Sequence, residues 1–131
     1  MAKTDRRGSI RRLPKQIDAA IRAAEDKKAV DLVVLDLRKA AGFTDYFVIC
    51  SAQSERQVQA IARHVQDTLS TFKKKPLGLE GLEEGNWVLI DFGDVIFHAF
   101  LDTARTYYNL EGFWGSAERI PVKEVPKANC A

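Results

Sequence analysis

The chain has 131 residues, of which 46% are hydrophobic and 29% are charged, and its formal net charge is +2. This length and composition predict one domain with a single hydrophobic core that needs no disulfide or metal. The charge is too mild to indicate nucleic-acid binding, and no apolar run approaches the ~20 residues of a membrane span. The two cysteines, Cys50 in an apolar run and Cys130 near the end, form no disulfide framework, which indicates a reducing, cytoplasmic compartment.

The ends of the chain differ in character from its middle. Residues 1–12 are basic and polar, and we expect them to form a flexible N-terminus. The hydrophobic pattern of a folded domain runs over residues 13–115, and residues 116–131 are expected to form an irregular tail. The domain is predicted to open with a helix whose first turn contains Pro14. The apolar residues at helical spacing are Leu13, Ile17, Ala20, Ile21 and Ala24.

Two strands and a long helix are predicted next. Residues 32–37 and 46–50 are short, nearly continuous apolar runs, typical of strands that are covered on both faces. Ser54 then begins a capping box with Gln57, and a strongly amphipathic stretch follows it. We expect this helix to run to the three lysines before Pro76, which would complement its C-terminal dipole. Its apolar stripe comprises Val58, Ile61, Ala62, Val65, Leu69 and Phe72.

A tight β-hairpin is predicted between residues 87 and 101, after a weaker strand at residues 77–81. Two β-rich runs flank the two-residue loop Gly93–Asp94, and a loop of this length fixes which residues face each other. The element order predicts an α/β fold with a mixed sheet and helices packed against it. One hairpin face is wholly apolar and is expected to be core; it comprises Val88, Ile90, Phe92, Val95, Phe97 and Ala99.

The other hairpin face mixes two large aromatic residues, two aliphatic ones, a carboxylate and an imidazole. Aromatic anchors among a few polar groups are typical of an interface centre, so one interpretation is a partner site. The other is that the domain's own helices cover this face, with its polar groups hydrogen-bonded. The cross-strand pairs on this face are Trp87 with Phe100, Leu89 with His98, and Asp91 with Ile96.

Four aromatic residues follow the hairpin and are expected to be core or dimer contacts. They are Tyr107, Tyr108, Phe113 and Trp114.

The residues that could carry chemistry do not form a recognisable catalytic pattern. Asp91, Asp94 and Asp102 could in principle hold Mg²⁺, but the hairpin register separates them, so turn and capping roles are expected. His98 has no second ligand at metal spacing. Cys50 with His98 would make a nucleophile pair only on neighbouring strands, and Cys50 is better interpreted as a small core residue. We therefore predict no catalytic residue, no metal and no cofactor.

Four blocks of the sequence resemble the ribosomal silencing factor family, also called the Iojap family. The blocks are TDYFVICS at 44–51, SERQV at 54–58, GNWVLIDFGDVIFH at 85–98 and YYNLEGFW at 107–114. Their order and spacing make the resemblance specific. It covers about residues 15–115, which is nearly all of the domain that the periodicity delimits.

The resemblance implies a nucleotidyltransferase-like fold, a mixed sheet of about five strands with packed helices, but without the catalytic motif. It implies a protein that is not an enzyme and that binds ribosomal protein fourteen of the large subunit. There it would sterically block joining of the small and large ribosomal subunits and repress translation when nutrients are scarce. It also implies a homodimer when the protein is free. The alternative function is a metal-dependent nucleotidyltransferase-type enzyme that uses Asp91 and Asp94.

Carried onto this sequence, the resemblance places the ribosomal contact on the mixed face of the hairpin. Asp94 and Glu80 are expected at its rim. The basic clusters at residues 3–12 and 73–75 are interpreted as solvated ends, with peripheral contact to rRNA phosphates as the alternative. The expected partner-binding residues on the mixed face are Trp87, Leu89, Asp91, Ile96, His98 and Phe100.

Overall fold

A six-stranded mixed sheet forms the centre of the protein, in a computed structural model that describes residues 14–120 and 122. The expected N-terminus at residues 1–12 lies outside the described residues. The strands are β1 (Val30–Asp36), β2 (Tyr46–Ala52), β3 (Gly78–Glu80), β4 (Trp87–Asp91), β5 (Val95–Leu101) and β6 (Glu118–Ile120). The helices are α1 (Lys15–Asp26), α2 (Glu55–Ser70), α3 (Asp102–Tyr108) and α4 (Leu110–Phe113).

The strands lie in the order β3-β4-β5-β2-β1-β6, which confirms a mixed sheet with six strands instead of about five. Strands β2 and β5 are parallel, and the other neighbouring pairs are antiparallel. The additional strand, β6, pairs with β1 and buries Ile120. The expectation of an irregular tail from residue 116 was therefore wrong for Glu118–Ile120. Three residues are too few to show the alternation that identifies a strand in a sequence.

Helices α1 and α2 cover one face of the sheet, which we call the helix face. The hairpin residues predicted to be core all lie on this face and are at most 4% exposed, so that prediction is confirmed. The predicted apolar stripe of α2 is buried from Val58 to Leu69. No helix among residues 14–120 is long and apolar enough to cross a membrane.

The predicted start of α2 is present, but the helix ends earlier than predicted. At its start Ser54 Oγ accepts a hydrogen bond from the backbone N–H of Gln57 at 3.1 Å, so the predicted cap is present. The helix ends at Ser70, however, before the lysines that were expected to lie against its last turn. Lys73 has a φ of 61°, a left-handed conformation that a right-handed helix does not continue through. Phe72 therefore lies beyond the helix and is 42% exposed.

Within residues 14–120, the short helices α3 and α4 and the segments around them cover the opposite face of the sheet. Asn109 joins these helices in a left-handed conformation, φ 49°, and its side chain accepts a hydrogen bond from Gly112 N–H at 3.2 Å. Residues 109–113 thus form a capped helical turn. A smaller core lies beneath it; its buried members are Leu35, Leu37, Phe47, Ile49, Ile96 and Phe100.

Candidate functional site

The hairpin register that defines the candidate site is confirmed. Strands β4 and β5 pair Trp87 with Phe100, Leu89 with His98, and Asp91 with Ile96. On β2, Ile49 is the register partner of His98 and lies in the same smaller core. All of these side chains therefore lie on the face opposite α1 and α2, which we call the aromatic face.

The aromatic face has a buried floor and a partly exposed outer layer. Phe100, His98 and Ile96 form part of the floor and are 0%, 2% and 8% exposed. Trp87, Leu89 and Asp91 lie above or beside them and are only partly buried. The sequence left open whether this face is a partner site or is covered by the protein itself, and each alternative applies to different residues. The protein covers the β5 side chains and leaves the β4 side chains partly accessible.

Ring contacts hold Trp87 at the centre of the outer layer. Its ring stacks on Phe100 with centroids 4.9 Å apart and an interplanar angle of 26°. Tyr108 of α3 packs on the same indole with centroids 4.8 Å apart. Below, the Phe47 ring meets His98 edge-on with centroids 4.5 Å apart. Offset and edge-on ring pairs of this kind are favourable beyond the area that they bury.

A hydrogen bond joins Trp87 to His98 inside this cluster. The indole Nε1–H donates to His98 Nδ1 at 3.0 Å. Burial lowers the pKa of His98 to about 3, so the imidazole is neutral at physiological pH. Since Nδ1 accepts a hydrogen bond, the single ring proton lies on Nε2. That nitrogen is buried and has no hydrogen-bond partner among the described residues.

Exposed aromatic residues adjoin Trp87 through Tyr108 and adjoin Trp114 through Phe113. Tyr107, Tyr108 and Phe113 are 81%, 52% and 77% exposed, so none of them is a core residue within one chain. Trp114 is partly buried and packs on Phe47 with ring centroids 6.0 Å apart, as part of the smaller core. Phe43, which the sequence analysis did not single out, is 58% exposed and packs against Trp114. An exposed surface this rich in aromatic rings is typical of a contact site for another macromolecule.

Carboxylates border the aromatic face along β3 and β4. Glu80 is exposed and is the register partner of Leu89, so its side chain lies on the aromatic face. Asp91 also lies on this face, and its Oδ1 accepts a hydrogen bond from Gly93 N–H at 2.8 Å. The edge of the aromatic face formed by β3 and β4 therefore carries two carboxylates. The loop that contains Glu83 lies against α2 instead, because Gln59 donates to the backbone oxygens of Leu82 and Glu83 at 2.9 and 3.0 Å.

Asp94 does not belong to this rim, in contrast to the sequence-based expectation. Its Oδ2 accepts a hydrogen bond from Gln16 of α1 at 3.1 Å, and its Oδ1 lies 3.3 Å from Lys74 Nζ. Its backbone oxygen accepts hydrogen bonds from the N–H groups of Asp45 and Tyr46. Asp94 thus connects the hairpin turn to α1 and to the start of β2. Residues in a turn have no face fixed by strand alternation, which is why the register could not place this side chain.

The carboxylates considered for catalysis form other hydrogen bonds, and the thiol considered for catalysis lies on a different sheet face from His98. Asp91 caps its own turn and Asp94 is bonded to α1, so they do not converge as a metal-binding pair. Among the described residues, no group of three or more His, Cys, Asp and Glu side chains could hold a metal ion. Cys50 lies in the core of the helix face, and His98 lies on the opposite face. Burial raises the pKa of the Cys50 thiol to about 12, so it is not an activated nucleophile.

Arg105 of α3 holds the cap of the aromatic face, and sequence reasoning did not find it. Its Nε and Nη2 each donate to the Glu111 carboxylate at 2.9 Å, which lowers the pKa of Glu111. Its Nη1 donates to Ser51 Oγ at 2.8 Å and to the backbone oxygen of Asp31 at 2.7 Å. A single side chain therefore joins α3 and α4 to β1 and β2. These partners are dispersed along the chain, so no local motif could reveal them.

The fold and the site together define a mixed α/β domain with two long helices on one sheet face and two short helices among exposed aromatic residues on the other. The family model described as "Ribosomal silencing factor during starvation" matches residues 10–131. The chain belongs to this ribosomal silencing factor family.

Individual relatives agree with this assignment. "Ribosomal silencing factor RsfS" of Bacillus subtilis (strain 168) is 44% identical over 98 residues, which cover 75% of this chain and 83% of the relative. "Protein Iojap, chloroplastic" of Arabidopsis thaliana is 38% identical over 99 residues, which cover 76% of this chain and 41% of that protein. A crystal structure of a Chromobacterium violaceum protein, 37% identical, superposes with a TM-score of 0.76 over 86% of this chain and 92% of the other.

Proposed function

We propose that this protein is a non-enzymatic silencing factor that binds ribosomal protein fourteen of the large subunit through its aromatic face. The bound protein sterically blocks joining of the small and large ribosomal subunits and represses translation when nutrients are scarce. Membership of the silencing factor family supports the ribosomal target. The observation that carries the choice of surface is the partly exposed Trp87, set on a buried floor among exposed aromatic residues.

The physical character of the face supports a protein partner. Large aromatic side chains at the centre of an interface supply most of its binding energy, and a rigid floor lowers the entropy lost on binding. Trp87 stacks on buried Phe100 and Tyr108 packs on Trp87, so the plane of the indole is fixed before a partner arrives. The carboxylates of Glu80 and Asp91 at the β3–β4 edge of the face favour Lys or Arg on the facing part of the partner surface.

We extend the proposal to the remaining features of the chain. The protein acts in the cytoplasm and is a homodimer when free, with the exposed rings of Tyr107 and Phe113 available to a second copy. The lysines at residues 73–75 make peripheral contact with rRNA phosphates, which would add a salt-dependent part to the affinity.

The test is reassociation of purified ribosomal subunits with and without the protein, followed by light scattering and on a density gradient. We expect the protein to lower the yield of joined ribosomes when it is incubated with the large subunit first. Undiminished joining at saturating protein would refute the proposal. Binding to the large subunit is measured in parallel, because a silencing factor that acts by steric blocking must bind where joining is prevented.

Two aromatic truncations test the surface. Trp87→Ala is expected to weaken binding to the large subunit about 30-fold, since truncating a central aromatic anchor costs about 2 kcal/mol. Phe72→Ala is the matched control, because Phe72 is also a partly exposed aromatic residue but follows α2 on the helix face. Circular dichroism establishes that both variants are folded. Equal binding by the two variants would remove the aromatic face from the proposal.

A further inference from the structure

His98 is a polar side chain in a place where an apolar one would pack without penalty. It is 2% exposed, and the residues around it on the aromatic face include Phe47 and Ile49. Its Nε2–H has no hydrogen-bond partner among the described residues. A buried N–H without a partner is destabilising, so a histidine at this position is poorly explained by core packing alone.

The other ring nitrogen has a defined task. His98 Nδ1 accepts the hydrogen bond that the indole Nε1–H of Trp87 donates, at 3.0 Å. Stacking on Phe100 fixes the plane of the indole, but stacked rings can slide and turn within that plane. A hydrogen bond to Nε1 is directional, and it determines which edge of the indole faces inward. The opposite edge is then the one presented at the surface.

We propose that His98 is a positioning residue for partner binding, which acts by holding the indole of Trp87 in one orientation through Nδ1. This inference rests on the proposed function, in which Trp87 is an anchor. His98 is itself buried and touches no partner. Its contribution is to remove the alternative orientations of Trp87 before binding, so that less conformational entropy is lost when the complex forms.

Two substitutions separate this role from a packing role. His98→Phe keeps an aromatic ring of similar size but has no acceptor for the indole N–H. His98→Asn is smaller and brings two buried N–H donors, but its Oδ1 can occupy nearly the position of Nδ1. Stability and binding should therefore rank these variants in opposite orders. The Phe variant should be about as stable as the parent, because it removes the unpaired Nε2–H but takes the acceptor from the partly exposed indole N–H, and it should bind the large subunit about tenfold more weakly. The Asn variant should be less stable than both and bind within about threefold of the parent.

A spectroscopic measurement on the free protein follows the hydrogen bond itself. The ¹⁵N–¹H signal of the Trp87 indole, assigned by comparison with a Trp114→Phe variant, should show a low-field, slowly exchanging proton. We expect this signature to persist in His98→Asn and to be lost in His98→Phe. Temperature melts of the same samples give the order of stability.

Three results would overturn the inference. The first is binding that follows stability, with the Phe variant equal to the parent and the Asn variant weaker. The second is an indole signal that is identical in the Phe variant and the parent. The third is loss of binding by the Asn variant although its indole hydrogen bond persists. If Trp87→Ala itself binds like the parent, the proposed contact surface fails as well; if only the His98 variants behave unexpectedly, this inference fails alone.

Discussion

Acidification is expected to destabilise the fold through His98. Burial lowers the pKa of this residue to about 3, against about 6.5 for a histidine in an unfolded chain. Between these values the unfolded chain binds a proton that the folded protein excludes, so the free energy of unfolding falls as the pH is lowered from about 7 towards 3. The full difference between the two pKa values corresponds to about 5 kcal/mol of unfolding free energy. Of this, about 2 kcal/mol is lost between pH 7 and pH 5.

The assay is urea unfolding followed by circular dichroism at pH 7, 6 and 5. The parent should lose about 2 kcal/mol more than His98→Phe between pH 7 and pH 5, because the variant has no buried imidazole. His64→Gln is the matched control, since it removes the other histidine and leaves His98 in place. Equal pH dependence in the parent and in His98→Phe would refute the reasoning, because His98 would then accept its proton without unfolding.

Three further predictions concern other parts of the domain. Gly81→Ala should lower the free energy of unfolding by at least about 2 kcal/mol, because Gly81 has a φ of 83° and an added Cβ would overlap the Trp87 carbonyl oxygen; chemical denaturation measures this. In a Cys130→Ser background, Cys50 should react with a disulfide reagent about a thousandfold more slowly in the folded protein than in urea, since burial raises the pKa of its thiol to about 12 and blocks access. Arg105→Met should cost about 3 kcal/mol in thermal or urea unfolding, because it removes four hydrogen bonds and leaves the Glu111 carboxylate with the more exposed Arg119, 3.2 Å away, as its cation; an unchanged melting temperature would contradict this.

The hairpin shows which parts of the fold a sequence can predict. The two-residue loop and the period-two alternation of β4 and β5 determine the register, and every pair derived from them is present. The long helix α2 was predictable for the same reason, since its period is carried by many residues. Strand β6 has three residues and owes its existence to β1, which lies more than 80 positions earlier in the chain. Local patterns contain no information about such a pairing.

The sequence predicts which sheet face each residue of the candidate site lies on, but not which side chains contact each other there. Register placed His98 and Trp87 on one side of the sheet, whereas their hydrogen bond depends on rotamers that packing selects. Asp94 was assigned to the rim because it adjoins the hairpin, but its orientation depends on Gln16 and Lys74, which are distant in sequence. Long-range polar contacts of this kind decide which acid borders the aromatic face.

The two faces of the sheet have separate roles because alternate residues of the same strands serve them. Val88 and Ile90 of β4 are fully buried under the helices, and they fix the backbone from which Trp87 and Leu89 project on the other side. A contact residue carried by a strand that is anchored in this way is held more accurately than one on a loop. Truncating Trp87 leaves that anchoring intact, because the core residues of the helix face are unchanged. Loss of partner binding without loss of the fold is therefore the behaviour that this arrangement favours, and it is what makes Trp87→Ala a test of the surface instead of a test of stability.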